Sequence, residues 1–438
     1  MNRGNALRQT HRVLACLVVA AMSTVLASSV VWAGDGDFKP EELADYERRA
    51  LVNHPALQAQ QQKLRATQLE AAGKLASYPQ PMLSYGAEIG TPWTAKPGVG
   101  HTVMVSQQLL LPGRRAAWAK PYELKSSGVE AQIEAASNQI VFEVRQALIE
   151  IARLDHHLLI FNKQKVVYSE VVSMVEALMS TGRTSYADVL RLSVTSEMLI
   201  DQIDRVQRER DEVVAGLRVQ LGLEPRAELS FEFSGNNDPT AVLEDALELE
   251  ELLKTMSAQN PQLRALEFEA QAELAQTEVV QKDRWTGPTV GVGYMNMPSM
   301  AMGEDGRDDA LMLSVAMPIP IFGRQIELNS ERFEATGLSA RAQRAALKRT
   351  LSQQIEASVL KIRERNKRLL HYEKELIPML GDVSERLLAD VEVGRAQVTD
   401  FQLVFQQQLD LEMMLVDLRA DIAIEQARLR MLTGQGLD

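Results

Sequence analysis

Residues 295–302 hold four of the chain's 18 methionines, Met295, Met297, Met300 and Met302, and the acids Glu304, Asp305, Asp308 and Asp309 follow directly. Thioethers are soft ligands that select Cu(I) and similar ions, whereas carboxylates are hard. The run therefore predicts a low-affinity metal contact on a loop. Flexible apolar side chains at a membrane interface would produce the same run. The six histidines (11, 54, 101, 156, 157 and 371) include one adjacent pair, His156-His157, whose members point to different faces of a helix. Cys16 is the only cysteine. Gly291-x-Gly293 opens no helix, so it is not a dinucleotide fingerprint. With no Ser/His/Asp or Cys/His constellation, the chain reads as a non-enzyme with no catalytic residue and no cofactor.

The 438 residues, 45% hydrophobic, suffice for a large core, and the net charge of −12 argues against binding a nucleic-acid backbone. Residues 1–33 read as a signal peptide. Arg3, Arg8 and Arg12 make a positive start, Val13 to Val31 is largely apolar, and Val31-Trp32-Ala33 places small residues where a signal peptidase reads. Cys16 would leave with that segment, which excludes disulfides and thiolate metal sites from the exported chain. No later stretch approaches the ~18 apolar residues of a membrane-spanning helix.

What remains is written twice. Asn53-His-Pro55-Ala-Leu57 recurs as Asn260-Pro261-Gln-Leu263. Val103, Val105, Leu109, Leu111 and Gly113-Arg114 recur as Leu313, Val315, Ile319, Ile321 and Gly323-Arg324. Gly182-Arg183, Asp188 and Gly222 recur as Gly394-Arg395, Asp400 and Gly434. The predicted organisation is a first repeat over 34–225, a linker over 226–239 and a second repeat over 240–438. Each repeat holds a helical segment (about Pro40 to Ser77, and Thr240 to Lys282), a β-hairpin (82–112 and 288–321) and a long helix pair. In the first, the absence of proline between Pro121 and Pro225 predicts helices from about Gly113 to Thr181 and from Thr184 to Leu221. Leu192, Leu199, Val206 and Val213, with Val189, Ile203 and Leu217, predict a heptad seam. Val404, Leu411, Leu418 and Leu432, with Phe401, Leu415, Ile422 and Leu429, repeat it in the second copy. The interruptions at Ser196, Arg210, Gln408 and Glu425 predict one side facing water.

The strand runs alternate. Leu83, Tyr85, Ala87 and Ile89 interleave with Ser84, Gly86, Glu88 and Gly90, while Val290, Val292 and Tyr294 interleave with Thr289, Gly291 and Gly293. About ten residues of such alternation cross an outer-membrane hydrocarbon layer when tilted. Four strands are too few for a barrel, which needs about eight, and sheet edges are not tolerated in lipid. Closure by three chains, with twelve strands, satisfies both demands.

Helix, hairpin and long helix pair, duplicated behind a signal peptide, resemble the TolC family of outer-membrane efflux channels. The most specific pieces are Asn53-His-Pro55-Ala-Leu57, Leu110-Leu-Pro-Gly-Arg114, Ile319-Pro-Ile-Phe-Gly-Arg324, and the turns at Gly182-Arg183 and Gly394-Arg395. With Leu221-Gly222 and Thr433-Gly434 closing the repeats, the resemblance is nearest to the heavy-metal branch of CzcC-like and CusC-like proteins. CusC-like members are often lipidated at an N-terminal Cys, which this chain lacks after cleavage. The resemblance implies a mostly α, α+β membrane protein. It would be a homotrimer with a twelve-stranded outer-membrane β-barrel, four strands per chain, continued by a long periplasmic α-helical barrel. Its implied partners are outer-membrane lipid, a periplasmic membrane-fusion adaptor and an inner-membrane pump of the RND type, with heavy-metal cations (Cu/Ag or Zn/Cd/Co) as cargo. The family's periplasmic aperture maps onto Asp400 and its repeat mate Asp188, whose other reading is stabilisation of a helix start. Gly182, Arg183, Gly394 and Arg395 map onto the adaptor-docking tips. A channel for organic compounds or type I secretion, and a periplasmic coiled-coil scaffold, are the alternatives.

Overall fold

The structure, a computed structural model of the chain, describes residues 43–89, 99–182, 184–227, 229, 231, 239, 248–298, 307–319, 323–393 and 395–435. The predicted signal segment, Arg183, Gly394, Met300, Met302 and most of the linker lie outside these residues. All elements below belong to one unit, Pro40–Pro225 together with Glu232–Asp438.

The order of elements runs through twice. The first half is α1 (Leu43–Asn53), α2 (Pro55–Ala76), β1 (Met82–Ile89), β2 (Val99–Gln108), α3 (Arg114–Ser180) and α4 (Tyr186–Gln220). The second is α5 (Leu249–Gln259), α6 (Pro261–Asp283), β3 (Thr289–Pro298), β4 (Arg307–Ala316), α7 (Arg324–His371), a π-helical turn (Tyr372–Leu376), α8 (Ile377–Glu392) and α9 (Val398–Thr433). At ~1.5 Å per residue, the 67 residues of α3 reach about 100 Å.

Each leading helical segment is in fact two helices, broken at a proline. The His54 ring accepts from the Ala56 amide at 3.3 Å, and Pro55, whose missing N–H costs nothing at a first turn, starts α2. In the second half Asn260 caps α6 itself, accepting from the amides of Gln262 (3.0 Å) and Leu263 (3.1 Å). Its amide nitrogen donates to the Leu432 carbonyl at 2.9 Å, which ties the start of α6 to the end of α9. Gly434 ends α9 with φ 77°, and a Cβ there would sit 2.9 Å from the Gln259 carbonyl oxygen. Gly222 ends α4 with φ 65° against Asn53 in the same way. The repeated Asn-Pro and Gly signals are thus the two sides of one contact, made once per half.

The second long helix pair is less regular than the first. Pro378 has no N–H to offer Lys374 and its ring crowds that carbonyl, and the wide π turn immediately before it absorbs the mismatch.

Two large apolar clusters lie between the helices of the described residues, besides a small one at Ile149, Ala420 and Ala423. In one, α3, α4, α8 and α9 bury Tyr168, Val175, Leu192, Phe401 and Phe405, with Tyr168 edge-on to Phe405 at 5.1 Å. The other packs Met256, Leu263, Ile355, Ile362 and Ile422 from α5, α6, α7 and α9. The heptad seam holds at Val189, Leu192, Leu199 and Leu217, but the buried position slides from Val213 to Val214, while Ile203 and Val206 are half-buried. A 3.6-residue helix drifts against a strict seven-residue repeat, and this drift moves the seam by one position.

Glu425 contradicts the expectation of a water-facing side: it is 4% exposed. Its carboxylate accepts from Ser358 Oγ (2.7 Å) and Lys361 Nζ (3.0 Å), with Arg428 Nη1 at 3.3 Å. Burial alone would raise its pKa, but the Ser358 hydroxyl and Lys361 ammonium outweigh that and hold it below the usual carboxylate range. Arg210, another interruption, is half-buried and donates to Asp155 at 2.5 Å.

The sheet order is β1-β2-β3-β4, antiparallel throughout, so β2–β3 joins the hairpins of the two halves. Register places Leu83, Tyr85, Val103, Val105, Val290, Val292, Tyr294, Leu311, Leu313 and Val315 on one face, all exposed. The other face carries Ser84, Gly86, Thr102, Met104, Ser106, Gly291, Gly293, Met295, Ala310, Met312 and Ser314.

Gly222→Ala and Gly434→Ala should each destabilise the protein by about 1–3 kcal/mol, since a Cβ meets both positive φ and a close neighbour. Gly73→Ala, in the open last turn of α2, should be neutral or slightly stabilising. Urea unfolding of the purified protein, followed by far-UV circular dichroism, compares the three.

Candidate functional site

Three features carry the candidate site residues: a two-faced sheet, the junction that joins it to the helices, and the turns at the far end of the long helix pairs.

The junction is tightly specified. Arg114, 7% exposed at the start of α3, donates to Asp283 at the end of α6 (2.9 Å), and Trp118 Nε1 donates to the same carboxylate oxygen at 2.9 Å. The Arg114 guanidinium also lies 4.9 Å from the Trp118 ring centre. Gly287 passes so close to Leu109 that a Cβ would come within 1.7 Å of its carbonyl oxygen, and the Leu109 amide donates to the Pro288 carbonyl at 2.8 Å. The prolines signalled this junction in sequence, but the Arg114–Asp283 pairing, 169 positions apart, had no local signal. In the second half the equivalent Arg324 is exposed and faces Glu327 at 3.9 Å.

At the turns, Gly182 takes the expected left-handed conformation (φ 69°), and its amide donates to the Met179 carbonyl at 2.9 Å. Arg395 closes α8 through its backbone, its amide donating to the Asp390 carbonyl at 2.7 Å, and its side chain is exposed. Arg183 and Gly394 lie outside the described residues.

The repeat mates Asp188 and Asp400 have different environments. Asp188 forms a capping box at the start of α4. It accepts from the Ser185 hydroxyl (2.6 Å), the Thr184 hydroxyl (3.1 Å) and the Ser185 amide (3.3 Å), and its own amide donates back to Ser185 Oγ at 3.2 Å. The Ser185 hydroxyl is the main reason its pKa is lowered. Asp400 holds the same helical position in α9, but Gln397 provides no side-chain cap. The exposed Asp400 carboxylate makes no side-chain hydrogen bond or ion pair among the described residues. Of the two, Asp400 is the one free to meet an ion.

The methionines are not all in a loop, as the sequence reading had them. Met295 and Met297 belong to β3, where register pairs Met295 with Thr102 and Ala310, and Met297 with Asp308. The strand runs from Thr289 to Pro298, the ten residues expected of it, and so takes in these two methionines. Beside them Asn296 Nδ2 donates to Asp309 at 2.5 Å. No group of three His, Cys, Asp or Glu positioned for a metal occurs among the described residues.

Polar clusters between the helices went unseen in sequence. Glu150 and Asp417 both receive Arg153, with Asp417 Oδ1 at 3.0 Å and buried His157 Nε2 at 3.1 Å from it. Burial tends to raise the Asp417 pKa, but the His157 and Arg153 contacts lower it overall. Arg145 pairs with buried Glu47 across α1 and α3. Their partners lie far apart in the chain, so no spacing rule finds them.

No protein-family model matches the chain, and no curated protein matches it. Solved structures do. The outer-membrane channel OprN superposes with a TM-score of 0.71 at 17% identity, covering 90% of both chains. CusC, whose structures describe folding and transmembrane channel formation, gives 0.71 at 14% identity over 90% of this chain and 92% of its own. The outer membrane protein VceC of Vibrio cholerae gives 0.69 at 17% identity over 90% and 96%. The chain accordingly has the fold of a TolC-like channel chain, mostly helical with four strands that do not close within one copy.

Asp188→Ala should loosen the first turn of α4 by about 1 kcal/mol, whereas Asp400→Ala should change stability by less than about 0.5 kcal/mol. Amide hydrogen exchange over 186–190 and 398–402 reads both. The lowered carboxylates Asp188, Asp417 and Glu425 stabilise the fold fully above the ordinary carboxylate range. That stability is lost as pH falls through their folded-state values, so unfolding midpoints should drop below about pH 4.

Proposed function

We propose that this chain is one subunit of a homotrimeric outer-membrane channel, the exit duct of a tripartite efflux system whose cargo is heavy-metal cations. One observation carries the channel reading. The four-stranded sheet exposes an apolar face, turns small and polar residues to the other, and leaves β1 and β4 as edges. Unpaired strand edges are not tolerated in lipid, so closure demands further copies. Three copies supply twelve strands, above the minimum of about eight. No helix among the described residues is long and apolar enough to cross a membrane. The likeness in fold to OprN, CusC and VceC supports placing the sheet in the outer membrane and the long helices in the periplasm.

The turns at Gly182-Arg183 and Gly394-Arg395 then face the periplasmic adaptor, which links the channel to an inner-membrane pump of the RND type. The channel itself needs no energy source. Three copies of Asp400 around the axis would make a carboxylate ring, and such rings favour cations. Asp188, held by its cap, contributes less to that ring. The metal cargo rests on the likeness of the sequence motifs to the heavy-metal branch and on the methionines near the outer end of the sheet.

A deletion strain with complementation tests the cargo. Lost tolerance to Cu and Ag, or to Zn, Cd and Co, is the expected result. Lost tolerance to dyes or solvents with unchanged metal tolerance would leave an efflux channel for organic compounds. The membrane placement predicts extraction only by detergent, as a trimer; release by salt or alkaline wash would point to a scaffold. In planar bilayers Asp400→Asn should lower the preference for cations over anions, and Asp188→Asn should change it less.

A further inference from the structure

We infer that Met104, Met295 and Met312 form a thioether site for a soft monovalent cation of the Cu(I) or Ag(I) class on the small-residue face of the sheet. The inference rests on the channel reading only in calling that face the lumen; all three sulfurs come from one chain.

Register brings them together. Met104 of β2, Gly293 of β3 and Met312 of β4 lie on one rung, directly opposite one another. Met295 is two residues along β3 from Gly293, on the same face, and so a diagonal neighbour of both methionines. Gly291 and Gly293 place no side chain between them. The result is a trough floored by β3 backbone, walled by Met104 and Met312 and closed at its outer end by Met295.

The sulfur of Met104 lies over the floor of the trough, where β3 carries no side chain. A Cβ on Gly291 would lie 3.1 Å from Met104 Sδ, and one on Gly293 would lie 3.3 Å from Met104 Cβ. Ser314 Oγ donates to Met104 Sδ at 3.3 Å, which parks this sulfur over Gly291, and a change of side-chain rotamer turns it toward Met295 and Met312. All three methionines are half-buried, whereas their strand neighbours Val103, Tyr294, Leu311 and Leu313 are exposed on the opposite face. Methionine's three rotatable bonds let the sulfurs converge without backbone movement.

The donor chemistry sets the class of ion. Thioethers bind Cu(I) and Ag(I) and hold hard or borderline ions poorly. No carboxylate, imidazole or thiolate stands on this face over the three rungs from Ser106 to Thr102 on β2 and their partners. Neutral ligands hold the ion loosely, as a point of passage near the outer end of a duct requires.

Ag(I) titration of the detergent-purified full-length protein by calorimetry tests the site. Wild type should bind Ag(I) and not Zn(II). Met104→Leu/Met312→Leu, which keeps volume and leaves Met295, Met297, Met300 and Met302 in place, should weaken Ag(I) binding at least about tenfold. Equal affinity in the two proteins, or no Ag(I) bound by wild type, overturns the inference. Should the variant fail to fold, wild type still decides: Ag(I) should slow peroxide oxidation of Met104, Met295 and Met312 severalfold in peptide mass spectra, while exposed Met198 on α4 oxidises at an unchanged rate. Equal protection everywhere, or none, also overturns it. Because binding needs neither trimer nor transport, a null growth phenotype would count against the efflux reading and leave this result standing.

Discussion

Every backbone amide and carbonyl needs a partner, and in a single chain β1 and β4 each leave a row of them without one. That constraint orders the rest of the molecule. Two hairpins from opposite halves pair through β2 and β3, which removes two of the four edges the hairpins would otherwise present. The remaining edges flank a sheet whose one face is apolar and exposed. In the proposed trimer, neighbouring copies of the same arrangement pair with them. The Arg114–Asp283–Trp118 contact and the close pass of Gly287 under Leu109 hold the sheet to those helices, so the placement of the strands is rigidly linked to the ends of α3 and α6.

The helical part shows how a long coiled structure with a drifting seam keeps its register. Apolar contacts alone tolerate sliding, because one leucine replaces another a heptad away. Buried ionic groups do not. Glu425 finds Ser358 and Lys361 in only one alignment of α7 with α9, and half-exposed Asp417 finds Arg153 and buried His157 in only one alignment of α9 with α3. Breaking the α7–α9 alignment strands the Glu425 carboxylate away from water, at a cost of several kcal/mol before any packing is lost. Asn260 does the same work at the other end of α9, where one side chain caps α6 and holds the Leu432 carbonyl.

Duplication supplied the frame, and the two halves then diverged where their surroundings differ. Asp188 is consumed by a capping box, whereas Asp400 follows Gln397, which cannot complete one. Arg114 is buried on Asp283, whereas Arg324 is exposed at the equivalent corner. α3 runs unbroken for 67 residues, but its counterpart is interrupted at Pro378 and takes up the strain in a π turn. The environment of each position is thus set by that copy's neighbours, not by the repeat itself.

Much of this was legible in the residues alone. Prolines and glycines marked the ends of α3 and α4 to within two residues, because a missing N–H or a required positive φ acts locally. Strict alternation gave the strands and their two faces, because the side-chain period of two is intrinsic to extended backbone. The shortage of strands implied several copies. Tertiary structure decided what depends on register and on distant partners. It placed Met295 and Met297 in a strand, set Met104 and Met312 across Gly293, buried Glu425 at a position the heptad assigned to water, and separated Asp188 from Asp400. A one-residue change in strand register would invert a face, and a helix drifts about 20° per heptad from a strict repeat. Local periodicity cannot resolve either, so those residues acquired their roles only when the chain was folded.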